Sequence, residues 1–343
     1  MTEKQKYYAS YVLWPVLMGM TILTAAIGFS SPYPMLGFNI AYISLIISLL
    51  ILERGFPHEK DWQEDDRQLF ADIAHTLTSK ATVQALLIFG GVIGLTAVIT
   101  PLDQPGAGIW PRDWPVPVQV ILALIVAEFG LYWAHRLGHE WPVLWRFHAI
   151  HHSVTRLWIV NTGRFHFIDS LVSIVMAVAI LLALGAPLEI VRWHAALTAF
   201  FGLLTHCNVE MRFGPLNYIF VTPGIHRWHH SMKLAEGNKN YGENLVLWDI
   251  LFDSYINPDH RPPKMIGVPE YMPPKFIHQL LWPFLSLERK QAIKTRYPDL
   301  GRAAKAKLSP AEKHALEVEH NVELSSVAVP NSFKPARGPQ AAE

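Results

Sequence analysis

Three clusters of histidines stand out in the middle of the chain. The first pairs His135 with His139, and the other two follow the pattern H-x2-H-H at 148–152 and at 226–230. On a helix, residues three or four apart share one face, so all the imidazoles of a cluster are expected to point roughly one way. Crowded imidazoles repel or lose hydrogen bonds unless they share a ligand, and a metal ion is the ordinary one. The spacing therefore predicts metal binding.

The number of histidines narrows the kind of site. Imidazole suits zinc, copper, iron and nickel, so the ligand type alone leaves the metal open. Eight histidines exceed the needs of one four-coordinate zinc and fit two metals, each with an open position. A carboxylate-rich di-iron bundle needs a pair of Glu-x-x-His motifs, and the chain lacks such a pair. A zinc protease places glutamate inside the histidine pair, whereas Glu140 follows His139.

Composition excludes other classes of protein. The single cysteine, Cys207, allows neither an internal disulfide nor a cysteine-based zinc or iron–sulfur site. A net charge of +1 argues against a nucleic-acid partner, which would need a basic stripe. Hydrophobic residues make up 51% of the chain and gather in long blocks, which is typical of membrane spans.

Four blocks before the first histidine cluster are long enough to cross a bilayer of about 30 Å as helices. These blocks are Tyr11–Phe29, Met35–Leu52, Thr82–Thr100 and Val116–Ala134. A later pair, Ile168–Leu184 and Leu188–Leu204, is joined by Gly185-Ala186-Pro187 and is interpreted as a helical hairpin. We therefore expect an all-α, polytopic membrane bundle of four spans plus a helical hairpin, with a cytosolic, histidine-rich helical cap.

Basic residues predict the orientation of the bundle. The 53–80 connection carries four lysines or arginines and the 101–115 connection carries one, so the former is expected to be cytosolic. Four spans and a hairpin then bring all three histidine clusters to the cytosolic side. If the hairpin were a single span, the clusters would lie on opposite sides and could not share a site.

The chain divides into three predicted regions. Residues 1–114 form an amino-terminal transmembrane region, 115–260 the histidine-bearing catalytic domain, and 261–343 a cytosolic extension that is expected to be disordered after about 325. Within this extension, the apolar piece Phe276–Leu287 is too short to span and is expected to lie at the membrane interface.

The three clusters, H-x3-H followed twice by H-x2-H-H, resemble the fatty acid hydroxylase and sterol desaturase superfamily of membrane di-iron enzymes. The resemblance covers roughly residues 115–260. It extends to Arg164-Phe165-His166, His206-Cys207-Asn208, Thr222-Pro223, Asn240-Tyr241-Gly242 and Trp248-Asp249. One departure is Phe167, which stands where the superfamily commonly has proline.

The resemblance implies a site with two non-haem irons and O2 as co-substrate. It implies that eight residues are catalytic iron ligands: His135, His139, His148, His151, His152, His226, His229 and His230. It also implies that His166 and His206 are the ninth and tenth ligands. Metal-bound imidazoles need acceptors for their other ring nitrogen. The candidates for that role are Glu140, Asp169, Asn208 and Asp249.

The implied reaction is hydroxylation of a C–H bond in a membrane lipid, either a polar lipid such as ornithine lipid or a fatty-acyl chain. A lipid or sterol desaturase of the same superfamily needs the same metals and is the alternative. Two further alternatives come from other classes, a zinc-dependent membrane hydrolase and a metal transporter. The transporter would place its ligands within the spans, whereas these clusters lie at span ends.

Two expectations concern partners and location. The chain carries no Gly-rich dinucleotide fingerprint and no CxxC motif, so electrons are expected from a separate donor of the ferredoxin or cytochrome type. The sequence ends in Gln340-Ala341-Ala342-Glu343 and has no KDEL-type signal. This favours a multi-pass protein of a bacterial inner membrane, with its site facing the cytoplasm.

Overall fold

The computed structural model describes residues 2–92 and 108–302 and the pair 310–311. Regular structure in these residues is helical, apart from three isolated β-bridges. The helices are α1 (Glu3–Phe29), α2 (Pro34–Gly55), α3 (Leu69–Val92), α4 (Val116–Glu140), α5 (Pro142–His152), α6 (Phe167–Ala183), α7 (Leu188–His206), α8 (Pro223–His229), α9 (Leu234–Gly237), α10 (Leu247–Leu251), α11 (Phe276–Leu281) and α12 (Leu287–Arg296). Short 3-10 helices lie between some of them. The expectation of an all-α chain is confirmed for the described residues.

Three of the described helices, α1, α2 and α4, are long and apolar enough to cross a membrane. They contain the predicted blocks that begin at Tyr11, Met35 and Val116. The predicted block Thr82–Thr100 begins within α3, and its residues 93–100 lie outside the described residues. Large apolar side chains such as Leu23 and Ile51 are exposed, as expected of helices that face lipid. The apolar helices indicate an integral, multi-pass membrane protein.

The predicted hairpin is present, with α6 and α7 joined at Gly185, whose φ of 81° is in the left-handed region. This conformation favours glycine. At 17 residues, α6 is apolar but shorter than the roughly 20 residues that a straight span needs. The α6 backbone lies very close to α4. A Cβ built on Gly130 of α4 would lie only 2.5 Å from the Met176 carbonyl oxygen of α6.

Buried polar contacts join the amino-terminal helices to the chain that follows α5. One Glu53 oxygen accepts hydrogen bonds from the backbone nitrogens of Ile159 and Asn208, both at 2.8 Å. Asp72 of α3 forms a buried ion pair with Arg164 at 2.7 Å. Residues of the predicted amino-terminal region thus contact the predicted catalytic domain directly. The division at 114 remains a prediction.

Part of the carboxyl-terminal extension, α11, packs on α3. Gln279 of α11 lies 3.0 Å from the His75 ring and donates to the Gln68 side chain at 3.1 Å. The predicted interfacial piece Phe276–Leu287 contains α11 and a 3-10 helix, Trp282–Phe284. The disorder predicted after about 325 falls outside the described residues.

Helices α1 and α2 touch at a pair of glycines. A Cβ built on Gly28 would lie 2.3 Å from the Gly37 Cα, which is closer than any real contact. Small residues at such crossings let helix backbones approach in a membrane. By contrast, a Cβ on Gly19 of the same helix would meet no atom within 4 Å.

We predict that Gly28→Ala destabilises the protein by about 1–3 kcal/mol, because the added methyl group forces α1 and α2 apart. Thermal unfolding of the purified protein in detergent measures the change. Gly19→Ala is the matched control and is expected to leave stability unchanged or slightly raised, since alanine favours helix. Equal effects of the two substitutions would contradict the close contact.

Candidate metal centre

Helix ends carry the three histidine clusters. His135 and His139 belong to the last turns of α4, which ends at Glu140 because Trp141 precedes Pro142 and is extended. A residue before proline is disfavoured in the α conformation, and proline is favoured at the first position of the next helix. The chain therefore turns sharply, and α5 brings the second cluster back towards the first.

The third cluster is fixed by a short capped helix. The Thr222 hydroxyl accepts a hydrogen bond from the Ile225 nitrogen at 3.4 Å, and Pro223 occupies the first position of α8. These are typical signals of a helix start. His226 and His229 lie on α8, and His230 caps it.

The clusters combine into two groups of possible metal ligands, and in each group the ligand atoms lie within 4.8 Å of one another. The five-histidine group contains His135, His139, His148, His152 and His229. The four-histidine group contains His151, His206, His226 and His230. Each H-x2-H-H cluster is divided between the groups, because adjacent residues of a helix point about 100° apart. The expectation that all three rings of a cluster share one direction is therefore wrong.

Several ring nitrogens in the five-histidine group carry lone pairs that could bind a metal ion. The Nδ1 atoms of His135 and His229 each lie 2.8 Å from a backbone carbonyl oxygen, those of Tyr241 and Lys239. A carbonyl oxygen only accepts, so Nδ1 carries the hydrogen and Nε2 carries a lone pair. Both Nε2 atoms, and that of His148, are buried without a hydrogen-bond partner. A bound cation would satisfy these nitrogens.

Distances between ring nitrogens fit shared coordination. The Nε2 atom of His139 lies 3.0 Å from that of His152, and the Nε2 atom of His226 lies 2.9 Å from that of His206 and 3.0 Å from that of His230. Two imidazole nitrogens bound to one ion at about 2.1 Å, at right angles, lie about 3.0 Å apart. The separations match ligands on a common ion.

Hydrogen bonding alone cannot satisfy the four-histidine group. Asn161 donates its amide to the Arg156 carbonyl, so its oxygen faces His206 Nδ1 at 3.1 Å and accepts. The His206 Nε2 atom therefore carries a lone pair. If His226 donated to it from Nε2, the same nitrogen could not accept from His230. A metal ion removes this conflict, because all three nitrogens can then direct lone pairs at it.

Burial keeps the imidazoles neutral. It lowers the pKa of His151, His152, His226, His229 and His230 well below the ordinary value, and the charges of neighbouring imidazoles lower it further. Neutral imidazole is the form that binds metal. Both groups can therefore hold a metal ion.

The two additional histidines of the sequence analysis have different positions. His206, at the end of α7, belongs to the four-histidine group. His166 belongs to neither group. Its Nδ1 atom caps α6 by accepting from the Ile168 nitrogen at 3.1 Å, and its Nε2 atom lies 3.2 Å from the Leu280 carbonyl oxygen. Both ring nitrogens of His166 are thus used by backbone, and Phe167 takes the first helical position.

Of the four predicted acceptors, one contacts a histidine of the groups. An Asp169 oxygen lies 2.9 Å from His148 Nδ1. Glu140 pairs instead with Arg136, while Asn208 and Asp249 bind backbone nitrogens. The acceptors that sequence reasoning missed include the Tyr241 and Lys239 carbonyls and the side chains of Asn161 and Asn238. Backbone carbonyls leave no signal in residue type.

A cavity of about 500 Å³ opens on both groups. His135 of the five-histidine group and His151, His206 and His226 of the four-histidine group line it. Most of its other walls are apolar or small side chains of α3, α6 and α7. An apolar cavity beside the two histidine groups suits the chain of a lipid.

Comparison with known proteins agrees with this geometry. The family model described as "Fatty acid hydroxylase" matches residues 120–254. The ornithine lipid hydroxylase OlsE of Rhizobium tropici is 48% identical over 286 residues, which are 83% of this chain and 86% of OlsE. The chain belongs to the fatty acid hydroxylase family. This confirms the predicted resemblance and the prediction of a lipid hydroxylase, an oxidoreductase.

The chain is also similar, at lower identity, to alkylglycerol monooxygenases. The alkylglycerol monooxygenase of Homo sapiens is 30% identical over 142 residues, or 41% of this chain and 32% of that protein. The corresponding enzyme of Xenopus tropicalis is 28% identical over 143 residues, or 42% of this chain and 32% of that protein. The matches span about a third of those relatives. No solved structure matches the chain.

The positions of His206 and His166 lead to a prediction about metal content. We expect His206→Ala to lower the metal bound per chain, because it removes one of four nitrogens from a group. His166→Asn keeps an acceptor for the cap of α6 and is expected to retain the wild-type metal content. Elemental analysis of the purified variants measures both. Loss of metal in His166→Asn alone would reverse the assignment.

The contact between Asp169 and His148 leads to a second prediction. We expect Asp169→Asn to lower metal affinity or activity about 10- to 100-fold, since the carboxylate orients the ring and increases its basicity. Asp113, an exposed residue, provides the control Asp113→Asn, which is expected to behave as wild type. Titration with a competing chelator measures affinity. Equal affinities in all three proteins would contradict the role of Asp169.

Proposed function

We propose that this protein is an O2-dependent hydroxylase that holds two irons in its two histidine groups and oxidises a C–H bond of a polar membrane lipid of the ornithine-lipid type. One observation carries the proposal. Two separate, buried groups of imidazole nitrogens open on the same apolar cavity. A single structural metal would need neither the second group nor the cavity.

Iron is favoured by the imidazole nitrogens of the two groups and by membership of the fatty acid hydroxylase family. Both groups offer only imidazole nitrogens, which suit iron among other metals. Bound iron would supply the activation of O2 and the oxidation of carbon. The protein contributes nine imidazole nitrogens that can bind metal, hydrogen-bond acceptors that hold several rings in place, and a cavity with mainly apolar walls. The eight histidines of the three clusters and His206 are the proposed ligands.

The lipid substrate is proposed from the similarity to OlsE and from the surroundings of the histidine groups. OlsE is named for the hydroxylation of ornithine lipid, and it aligns with this chain over most of both lengths. The histidines follow directly from α4, a candidate membrane span. A lipid can therefore reach the cavity from the bilayer, where O2 also partitions.

We infer that four spans and the α6–α7 hairpin bring the histidine groups to the cytoplasmic face of a bacterial inner membrane. A separate ferredoxin- or cytochrome-type protein would deliver electrons, since the sequence carries no flavin, nucleotide or cysteine motif for this purpose.

We predict that expression of the chain in a bacterium that makes ornithine lipid yields lipid with one additional oxygen. The gain is expected to disappear in His151→Ala, because His151 belongs to the four-histidine group, and to persist in His278→Ala. His278 is outside both groups, against the Tyr297 ring. Mass spectrometry of extracted lipids and iron analysis of the purified protein measure the outcome.

The alternatives give different results in the same experiment. Loss of two hydrogens would identify a desaturase. One zinc per chain, with lipid cleavage in the absence of O2, would identify a hydrolase. Either result would refute the proposed reaction, and the desaturase result would leave the two metals in place.

A further inference from the structure

A carboxylic acid, Glu243, lines the cavity and has no hydrogen-bond partner for its side chain among the described residues. Glu243 follows Asn240-Tyr241-Gly242, in the loop that leads to α10. It is the one carboxylic acid among the described residues that line the cavity. In the described part of the chain, its side chain forms no hydrogen bond or ion pair. Glu243 therefore faces the substrate space with its binding capacity unused.

The neighbouring acid, Glu128 of α4, has a structural role, because it binds the loop that carries Glu243. One Glu128 oxygen accepts from the backbone nitrogens of Glu243 at 2.6 Å and Asn244 at 2.8 Å, and the other accepts from the Asn244 amide at 2.7 Å. Glu128 is fully buried and holds the loop in place. Glu128 thus anchors the Glu243 backbone, whereas no hydrogen bond within the described residues uses the Glu243 side chain.

The surroundings of Glu243 favour a cationic ligand. Burial, and then the neighbouring charges of Glu128 and Asp169, raise its pKa to about 8. A positive charge placed beside a carboxyl group offsets such a shift and restores the ionised form. Lys80 is the one lysine or arginine among the described lining residues, and it is exposed, with its ammonium 5.2 Å from the Tyr42 ring and no ion pair to Glu243.

We propose that Glu243 binds the ammonium group of an amine-bearing lipid head group in the cavity and selects such lipids over neutral ones. This inference rests on the proposed function, in which a polar amino lipid is the substrate. Ornithine is a diamino acid, so its lipid retains a charged amine when the other amine forms an amide. A head group without an amine would leave Glu243 protonated and could not form this ion pair, so it would bind less tightly.

The test compares two probes that differ in one charge. N-dodecanoyl ornithine carries a free side-chain amine, and its acetylated derivative does not. Calorimetry on the purified, metal-loaded full chain in nanodiscs measures both affinities. We expect wild type to bind the amine at least about ten-fold more tightly, since a hydrogen bond between charged groups is strong. Glu243→Gln, which keeps shape and loses charge, is expected to bind both probes alike.

Controls separate this role from a structural one. Glu288→Gln removes an exposed carboxylate of α12 and is expected to keep the wild-type preference. If Glu243→Gln lost its metal, Glu243→Asp would replace it, and the shorter side chain is expected to reduce the preference several-fold. Absence of preference in wild type, or an unchanged preference in a folded Glu243 variant, would overturn the inference.

Turnover of ornithine lipid, measured in parallel, separates this inference from the proposed function. Preference for the amine without oxidation of ornithine lipid would refute the proposed reaction and support the Glu243 site. Oxidation of ornithine lipid without preference for the amine would refute the Glu243 site alone.

Discussion

Nine imidazoles share a small buried volume, and most of the surrounding structure serves to make that arrangement stable. Uncharged rings are required, because positive charges on neighbouring buried rings would repel one another. Burial depresses the pKa values accordingly, and backbone carbonyls, Asp169, Asn161 and Asn238 fix several ring tautomers. The lone pairs that remain converge on two points. Burial of lone pairs that accept no hydrogen bond costs free energy, and coordination of a metal ion would offset this cost.

This requirement explains why distant parts of the chain meet around the histidines. The loop at 238–246 supplies the Tyr241 and Lys239 carbonyls to the five-histidine group, and Glu128 in turn anchors that loop to α4. The chain between α5 and α6 supplies Asn161 to the other group, and Glu53 of α2 binds the same segment at Ile159. Glu128 of α4 and Glu53 of α2 thus position the histidines indirectly, because they bind the segments that carry the hydrogen-bond acceptors. Most of those acceptors do not belong to the membrane helices themselves.

The cavity meets two requirements of a lipid hydroxylase, an apolar space for the acyl chain and polar groups at the border of that space. Its walls are mainly apolar, which suits an acyl chain, while the histidines and Glu243 border the same space. A charged group in such a space is costly unless a ligand of opposite charge offsets it. The cost becomes a source of selectivity when the substrate itself brings that charge. The proposed head-group recognition and metal coordination would then follow the same principle, because in each case a buried polar atom gains its partner only when the ligand binds.

The sequence alone determined the family, the metal-binding histidine clusters and most of the helices, because helical periodicity and apolar length are local properties. The hairpin and the turn at Trp141-Pro142 are likewise readable from proline and glycine. Tertiary structure decided how the histidines divide: His151 and His152 are neighbours in sequence and point to different groups. It also separated His206 from His166, which the sequence treats alike. Only the packing of α7 against α8, and the capping of α6 by His166, distinguish a ring free to bind metal from one occupied by backbone.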